Sequence, residues 1–249
     1  MANYNAHMLS VTDARALIAQ TVHVQPPLRV PLAQAHGRTL RESVVAQEDI
    51  PAFDRSAMDG YAIHAGDPAT EFRVVCEIPA GTMPARAIGP GECARIFTGS
   101  AIPEGATQVV VQEVAQRNGD RVSFAQRDRK SNIRLRGEDA REGSTLIERG
   151  TRLGSIELSL CAQLGATAPL VAPRPRIFHV ATGSELVSPD ETPDEGKIRD
   201  SNSTLISSLV IEAGAEMARQ LRIGDNPAKL LSAIGDADIE SWNVLLLSG

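Results

Sequence analysis

Residues 176–187, RIFHVATGSELV, decide the architecture of the second half of this 249-residue chain. Residues 177–181 form a short apolar run of the kind that makes a strand buried on both faces, and Thr182, Gly183, Ser184 and Glu185 then break it. Downstream, residues 203–212 carry Leu205, Ile206, Leu209 and Val210 at helical spacing, and Gly214 stops the helix. Residues 217–223 read as the next strand. Pro227 sits where a first helical position belongs, with Asn226 as its cap and residues 228–234 as the helix. Residues 244–247 make a third strand. This alternation predicts a parallel, three-layer α/β domain over 176–249. The sequence stops at Ser248-Gly249 as that strand finishes, where the ligand crevice of such a sheet is expected. The expectation is therefore a C-terminally truncated chain with an incomplete α/β domain.

Upstream the texture changes. Residues 10–22 place Ala14, Leu17, Ile18 and Val22 at helical spacing behind Ser10 and Thr12, and residues 32–36 give a second helical turn stopped by Gly37. An extended segment follows over 41–45. Between 51 and 139 lie short β-rich runs, 72–78, 94–97, 108–114 and 122–125, divided by Gly and Pro, which predict a mostly antiparallel β domain. Asn118-Gly119 signals a hairpin, because both residues accept positive φ cheaply. Residues 155–165 read as another capped helix, with Glu157 in its first turn, that is expected to pair with the N-terminal helix. The domain boundaries that follow are a helical linker domain over 8–50 and 140–175, an inserted β domain over 51–139, and the α/β domain over 176–249.

A formal charge of -6 argues against a general nucleic-acid binder. Arg127, Arg129, Lys130, Arg134 and Arg136 nevertheless crowd one stretch, either as a solvated basic loop or as a local pocket for an anion. Cys76, Cys93 and Cys161 show no metal or CxxC spacing, which reads as a reducing, cytoplasmic compartment. No apolar run approaches the ~18 residues of a membrane helix, and no signal-peptide pattern opens the chain.

Asp54 and Asp59 flank Ser56, Met58 and Gly60 in a segment that is either a ligand-facing loop or an Asx-type turn. Thr98-Gly99-Ser100 follows a strand-like run and offers a hydroxyl and exposed amides to an oxyanion, or is simply a turn. The same grammar recurs at Thr182-Gly183-Ser184-Glu185, where Glu185 supplies a hard oxygen ligand for magnesium. Asp225 occupies the next strand-end loop. Asp200, with Ser201 and Asn202, lies in the connection before the helix, where Asp200 either serves as a cap or joins the carboxylates at the sheet rim. The sequence holds no Walker A, GxGxxG, HExxH or GxSxG pattern. The five histidines, including His179, share no spacing and read as surface or satisfied core positions.

Six ordered blocks carry more than any single motif: PAFDRSAMDGYA at 51–62, IPAGTMP at 78–84, GECARIFTGSAIPEGATQVVVQE at 91–113, NIRLRGED at 132–139, ATGSELV at 181–187 and IRDSN at 198–202. Together they resemble the MoeA-type molybdopterin molybdenumtransferases, to which the E domain of gephyrin is related. The resemblance implies a homodimer built from a linker domain, an inserted β domain and a MogA-like molybdopterin-binding α/β domain. It implies magnesium-dependent insertion of molybdate into adenylylated molybdopterin with release of AMP, and other cofactor-biosynthesis proteins as candidate partners. Carried over by motif, Asp59, Thr98 and Asp139 are the expected catalytic residues and Glu185 and Asp225 the expected Mg²⁺ ligands. Ser56, Gly99, Arg134, Arg136, Thr182, Gly183, Asp200, Ser201 and Asn202 are the expected substrate contacts. Family members continue past Gly249 into a further aspartate loop and basic loops, so low or no activity is expected of this chain alone. Two other readings stand beside this one: a gephyrin-like scaffold, and a molybdopterin adenylyltransferase.

Overall fold

A computed structural model describes residues 9–127 and 129–249, the Ile239 side chain excepted. His7 and Met8, the latter the first residue of the expected linker domain, lie outside the described residues. The chain divides into two compact units, one formed by Ser43–Glu148 and the other by the segments that end at Glu42 and begin at Arg149.

The Ser43–Glu148 unit is built on a six-stranded sheet. Its spatial order is Gln108–Val111, Gly60–Ile63, Glu92–Ile96, Glu71–Ile78, Arg121–Phe124, Ala115–Asn118. Only the Glu71–Ile78 and Glu92–Ile96 pair is parallel, so the sheet is mostly antiparallel as expected. All four residues of Gly60–Ile63 are buried. Alternation then sends Tyr61 and Ile63 into a cluster with Phe72, Cys93, Val110 and Val122, and Ala62 into a second with Ile78, Ala94, Ile96 and Val109. Apolar cover on both faces explains why alternation is hard to see in this strand, which sequence reasoning left inside the 51–62 motif.

The hairpin is present but its turn is one residue later than the Asn-Gly signal placed it. Asn118 pairs with Arg121, so Gly119 and Asp120 form the two-residue loop, and Gly119 alone takes positive φ, at 62°. Glycine at the first central position is the pattern of a type II′ turn, whose twist suits the flanking strands.

In the other unit, Arg176–Thr182 is the central strand of a three-stranded sheet, parallel to Glu216–Ile223 on one side and Val244–Ser248 on the other. Phe178 and Val180 face Leu230 and Ile234 of helix Pro227–Gly235, with Trp242 and Leu245 beside them. His179 points to the opposite face, toward helix Ser201–Glu212. Helices on both faces give the three-layer arrangement. Asn226 accepts from the Lys229 amide at 3.1 Å with Pro227 at the helix start. Replacing Asn226→Ala is expected to cost about 1 kcal/mol in a urea melt, the usual loss of an N-cap.

Helix Ser155–Gln163 differs from expectation in its partner. The segment packed against it is the short helix Leu32–Ala35, whereas Val11–Thr21 has no buried residue and leaves Leu17 and Ile18 exposed. Glu157 accepts from the Gly154 amide at 2.8 Å, so the acid in the first turn does cap that helix. All three cysteines are free thiols, and among the described residues no helix is long and apolar enough to cross a membrane.

Candidate functional site

Expected site residues gather at one rim in each unit. In the Ser43–Glu148 unit, the segment before strand Gly60–Ile63 and the loop after strand Glu92–Ile96 are tied together by backbone. The Ser56 amide donates to the Ser100 carbonyl at 2.9 Å and the Gly99 amide to the Ser56 carbonyl at 2.8 Å. The Ser56 hydroxyl is spent locally, donating to the Met58 carbonyl at 2.6 Å. Asp59 Oδ1 accepts from both the Thr98 amide, at 2.8 Å, and the Thr98 hydroxyl, at 2.9 Å. Those bonds, the amide foremost, together with the nearby Arg95 charge, hold the Asp59 carboxyl below its ordinary range. Asp59 is therefore an ionised, half-buried group at neutral pH, placed beside an exposed hydroxyl.

Behind this pair stands a support that sequence reasoning missed. The Arg95 guanidinium donates to the Gly60 carbonyl at 2.9 Å and to Gln112 Oε1 at 2.6 Å, while the Gln112 amide donates to the Asp59 carbonyl at 3.0 Å. The same guanidinium lies over the rings of Tyr61 and Phe97, at 5.2 and 4.8 Å from their centroids. An arginine between buried Ala94 and buried Ile96 was the signal available in the sequence, because such a charge needs a fixed partner set.

Arg134, on the short strand Ile133–Arg134 beside Arg55–Ser56, pairs with Asp139 in the loop that follows and also reaches Glu138 at 3.2 Å. Arg136 bonds Asp49 at 2.8 Å through its side chain and Asp54 at 2.7 Å through its amide. Arg127 donates to the carbonyls of Asp67 and Ala69 and covers the Phe72 ring. The crowded basic stretch is thus largely committed within its own unit. Exposed pairs such as Arg134 with Asp139 contribute only about 0–1 kcal/mol, so an anionic ligand can compete for the guanidinium.

In the other unit, the loops at the carboxyl ends of Arg176–Thr182 and Glu216–Ile223 interlock. The Ser184 amide donates to Asp225 Oδ2 at 3.1 Å, and the Asp225 amide to the Ser184 hydroxyl at 2.9 Å. Gly183 is buried with φ 155°, and a Cβ there would meet both Glu185 carboxylate oxygens at 2.8 Å, so the Glu185 side chain lies over the glycine. Thr182 Oγ1 donates to the Ser248 carbonyl at 3.2 Å, bringing the third strand end to the same rim. Two exposed carboxylates on adjoining loops form a sparse, hard-oxygen donor set. Among the described residues no group of three or more His, Cys, Asp or Glu side chains gathers to hold a metal. Such a set fits Mg²⁺, which keeps waters and takes phosphate oxygens, better than a metal that needs a full protein cage.

Asp200 stands apart from its neighbours Ser201 and Asn202, which are exposed in the first turn of their helix. Its buried carboxylate accepts from the Ser203 amide at 2.9 Å, the Ser203 hydroxyl at 2.6 Å and Arg222 Nε at 3.2 Å. Burial alone raises its pKa, yet the Ser203 and Arg222 contacts outweigh that effect and leave it lowered. Asp200 is a capping and pairing residue of the fold, with its carboxylate turned inward.

Residues 9–165 match the family described as the MoeA N-terminal region (domain I and II), and residues 179–249 match a probable molybdopterin binding domain. Molybdopterin molybdenumtransferase 2 of Mycobacterium tuberculosis (strain H37Rv) is 35% identical over 250 residues, covering 97% of this chain and 62% of its own length. The Bacillus subtilis molybdopterin molybdenumtransferase is 36% identical over 222 residues, covering 84% of this chain and 51% of its own. A crystal structure of the molybdopterin biosynthesis moeA protein from Pyrococcus horikoshii OT3 superposes with a TM-score of 0.82 at 32% identity, covering 94% of this chain and 64% of that one. The chain therefore spans less than two thirds of the length of these relatives. With more than half of its residues matched by one family and the fold reproduced, the chain belongs to the MoeA family.

Proposed function

We propose that this chain carries residues that take part in the insertion of molybdate into adenylylated molybdopterin with release of AMP. The observation that carries the reading is the Asp59–Thr98 pair: a carboxylate held ionised by the amide and hydroxyl of an exposed threonine, on a framework that fixes both. That is more organisation than a solvated turn requires.

The roles follow from the chemistry of each group. Thr182 and Gly183 at the strand end, and Ser201 and Asn202 in the first turn of their helix, bind the phosphate and pterin of the substrate through hydroxyls and backbone amides. Ser56 and Gly99 fix the loop that presents Asp59 and Thr98. Arg134 and Arg136 offset anionic substrate charge, at the expense of their present carboxylate partners. Asp59, together with Asp139, orients the substrate or a bound water. Glu185 and Asp225 would hold Mg²⁺, which would supply Lewis-acid polarisation of the phosphoanhydride. The functional species is a homodimer in this reading.

The test supplies adenylylated molybdopterin, molybdate and Mg²⁺ and follows AMP release. Release that needs molybdate is expected of a version extended to the length of the relatives, with little or none from this chain alone. Formation of adenylylated molybdopterin from ATP and free molybdopterin would favour an adenylyltransferase instead, and neither reaction would favour a scaffold.

A further inference from the structure

His179 is fully buried in the middle of the central parallel strand. Its Nε2 lies 2.9 Å from Ser248 Oγ on one neighbouring strand, and its Nδ1 lies 2.9 Å from Gln220 Nε2 on the other. Gln220 Nε2 also donates to the Ser203 carbonyl at 3.0 Å. A carbonyl only accepts, so the Gln220 atom facing Ser203 must be the NH₂ group, and its second hydrogen points at Nδ1. Nδ1 is therefore the bare acceptor. The single imidazole proton sits on Nε2 and is donated to the Ser248 hydroxyl.

We propose that His179 is a positioning residue of the strand-end rim, oriented by Gln220 so that its Nε2–H holds Ser248, and through it Thr182, and that this orientation is fixed only while the imidazole carries one proton. A second proton on Nδ1 would set donor against donor at Gln220. Turning the amide over would relieve that contact but aim Oε1 at the Ser203 carbonyl, acceptor against acceptor. Either response breaks one link of the chain that runs from Ser203 to Ser248. Thr182 Oγ1, which donates to the Ser248 carbonyl, loses its fixed partner when the strand end loosens.

The surrounding charges bear on this in opposite senses. Burial disfavours the imidazolium and lowers the His179 pKa; the Asp200 charge opposes it more weakly. Arg222, on the same side of its strand as Gln220, pairs with Asp200 at 3.2 Å and blunts that charge. Ser203 on the helix and Ser248 on the third strand are uncharged. With the folded pKa depressed, the stabilisation is fully present above the unfolded value of about 6.5 and is lost as pH falls toward the folded one. The rim is thus ordered at neutral pH and loosens on acidification. The significance of this device rests on the rim being the ligand side of the sheet, but its test uses no ligand, so failure of turnover and failure of the device are distinguishable.

The test is an NMR titration of the full ¹⁵N-labelled chain from about pH 8 to about pH 5, spanning the ordinary histidine range. It follows the His179 ring nitrogens and the amides of Thr182, Gly183 and Ser248. The Nε2–H tautomer is expected at the alkaline end, with the three amides moving on the imidazole inflection. In Gln220→Glu, a carboxylate faces Nδ1 and accepts a hydrogen bond from a protonated Nδ1–H, so the inflection should rise by about one unit or more. An Nδ1–H tautomer, rim amides that stay flat while the imidazole titrates, or an imidazole neutral across the range in both proteins would overturn the proposal. So would an inflection unmoved by Gln220→Glu.

Discussion

Gly60→Ala is expected to unfold the Ser43–Glu148 unit or to destabilise it by roughly 3 kcal/mol or more, the range reserved for severe backbone or packing conflict. A Cβ at this position would lie 2.0 Å from the Val110 carbonyl oxygen and 2.8 Å from its carbon. Those are backbone atoms, and no rotamer change can move them away. The strand cannot retreat either, since Gly60 pairs with Ile96 on one side and Val111 on the other while Arg95 holds its carbonyl. Gly99→Ala is the control: it carries positive φ, at 85°, but its Cβ would meet open space, so it should cost only about 1 kcal/mol of backbone strain. Urea melts of the two variants decide the matter. Near-parental stability of Gly60→Ala would mean that the close approach of the two strands is not as described.

In a version extended to the length of the relatives, Asp59→Asn should lower AMP release by about 10²–10³-fold with little change in folding, a loss typical of a group aligned with a reacting centre. The amide oxygen can still accept from Thr98, so the loop keeps its shape. What disappears is the negative charge. A fall in kcat at unchanged KM is expected if Asp59 acts on the reacting phosphate or its water, and a rise in KM alone would make it a binding group. Activity within about twofold of the parent would return Asp59 to the status of a turn residue.

Much of the fold was legible because local pattern and tertiary packing agree. Asn226-Pro227 begins a helix by a mechanism internal to four residues, and strand 177–181 is apolar because both of its faces carry helices. The departures have physical causes of the opposite kind. Leu17 and Ile18 predict a packed helix face, yet Val11–Thr21 buries nothing in this chain, since periodicity gives a face without naming its partner. Asn118-Gly119 gave the hairpin but not its register, which the flanking strand pairs fix.

The site was readable to a similar degree. Its residue types could be placed on strand-end loops, but which oxygen a carboxylate spends on local backbone is decided by geometry alone. Asp59, Asp200 and Asp225 illustrate this. All three accept from a backbone amide, but only Asp200 does so locally, as the cap reading requires; Asp59 and Asp225 reach amides of distant loops, and Asp200 is sealed inward whereas Asp59 and Asp225 stay at an accessible rim. Arg95 and Gln112 escaped notice because their work is done on backbone carbonyls and ring faces, which no short motif records.

The most direct measurement is the binding of adenylylated molybdopterin by calorimetry, with and without Mg²⁺, to the parent chain and to the Glu185→Gln, Asp225→Asn double variant. The account predicts that Mg²⁺ strengthens binding to the parent by about tenfold or more and has no effect on the double variant, whose neutral amides are poor ligands for a hard cation. Equal affinity in the parent with and without the metal, or metal-dependent binding that survives the double substitution, would contradict it.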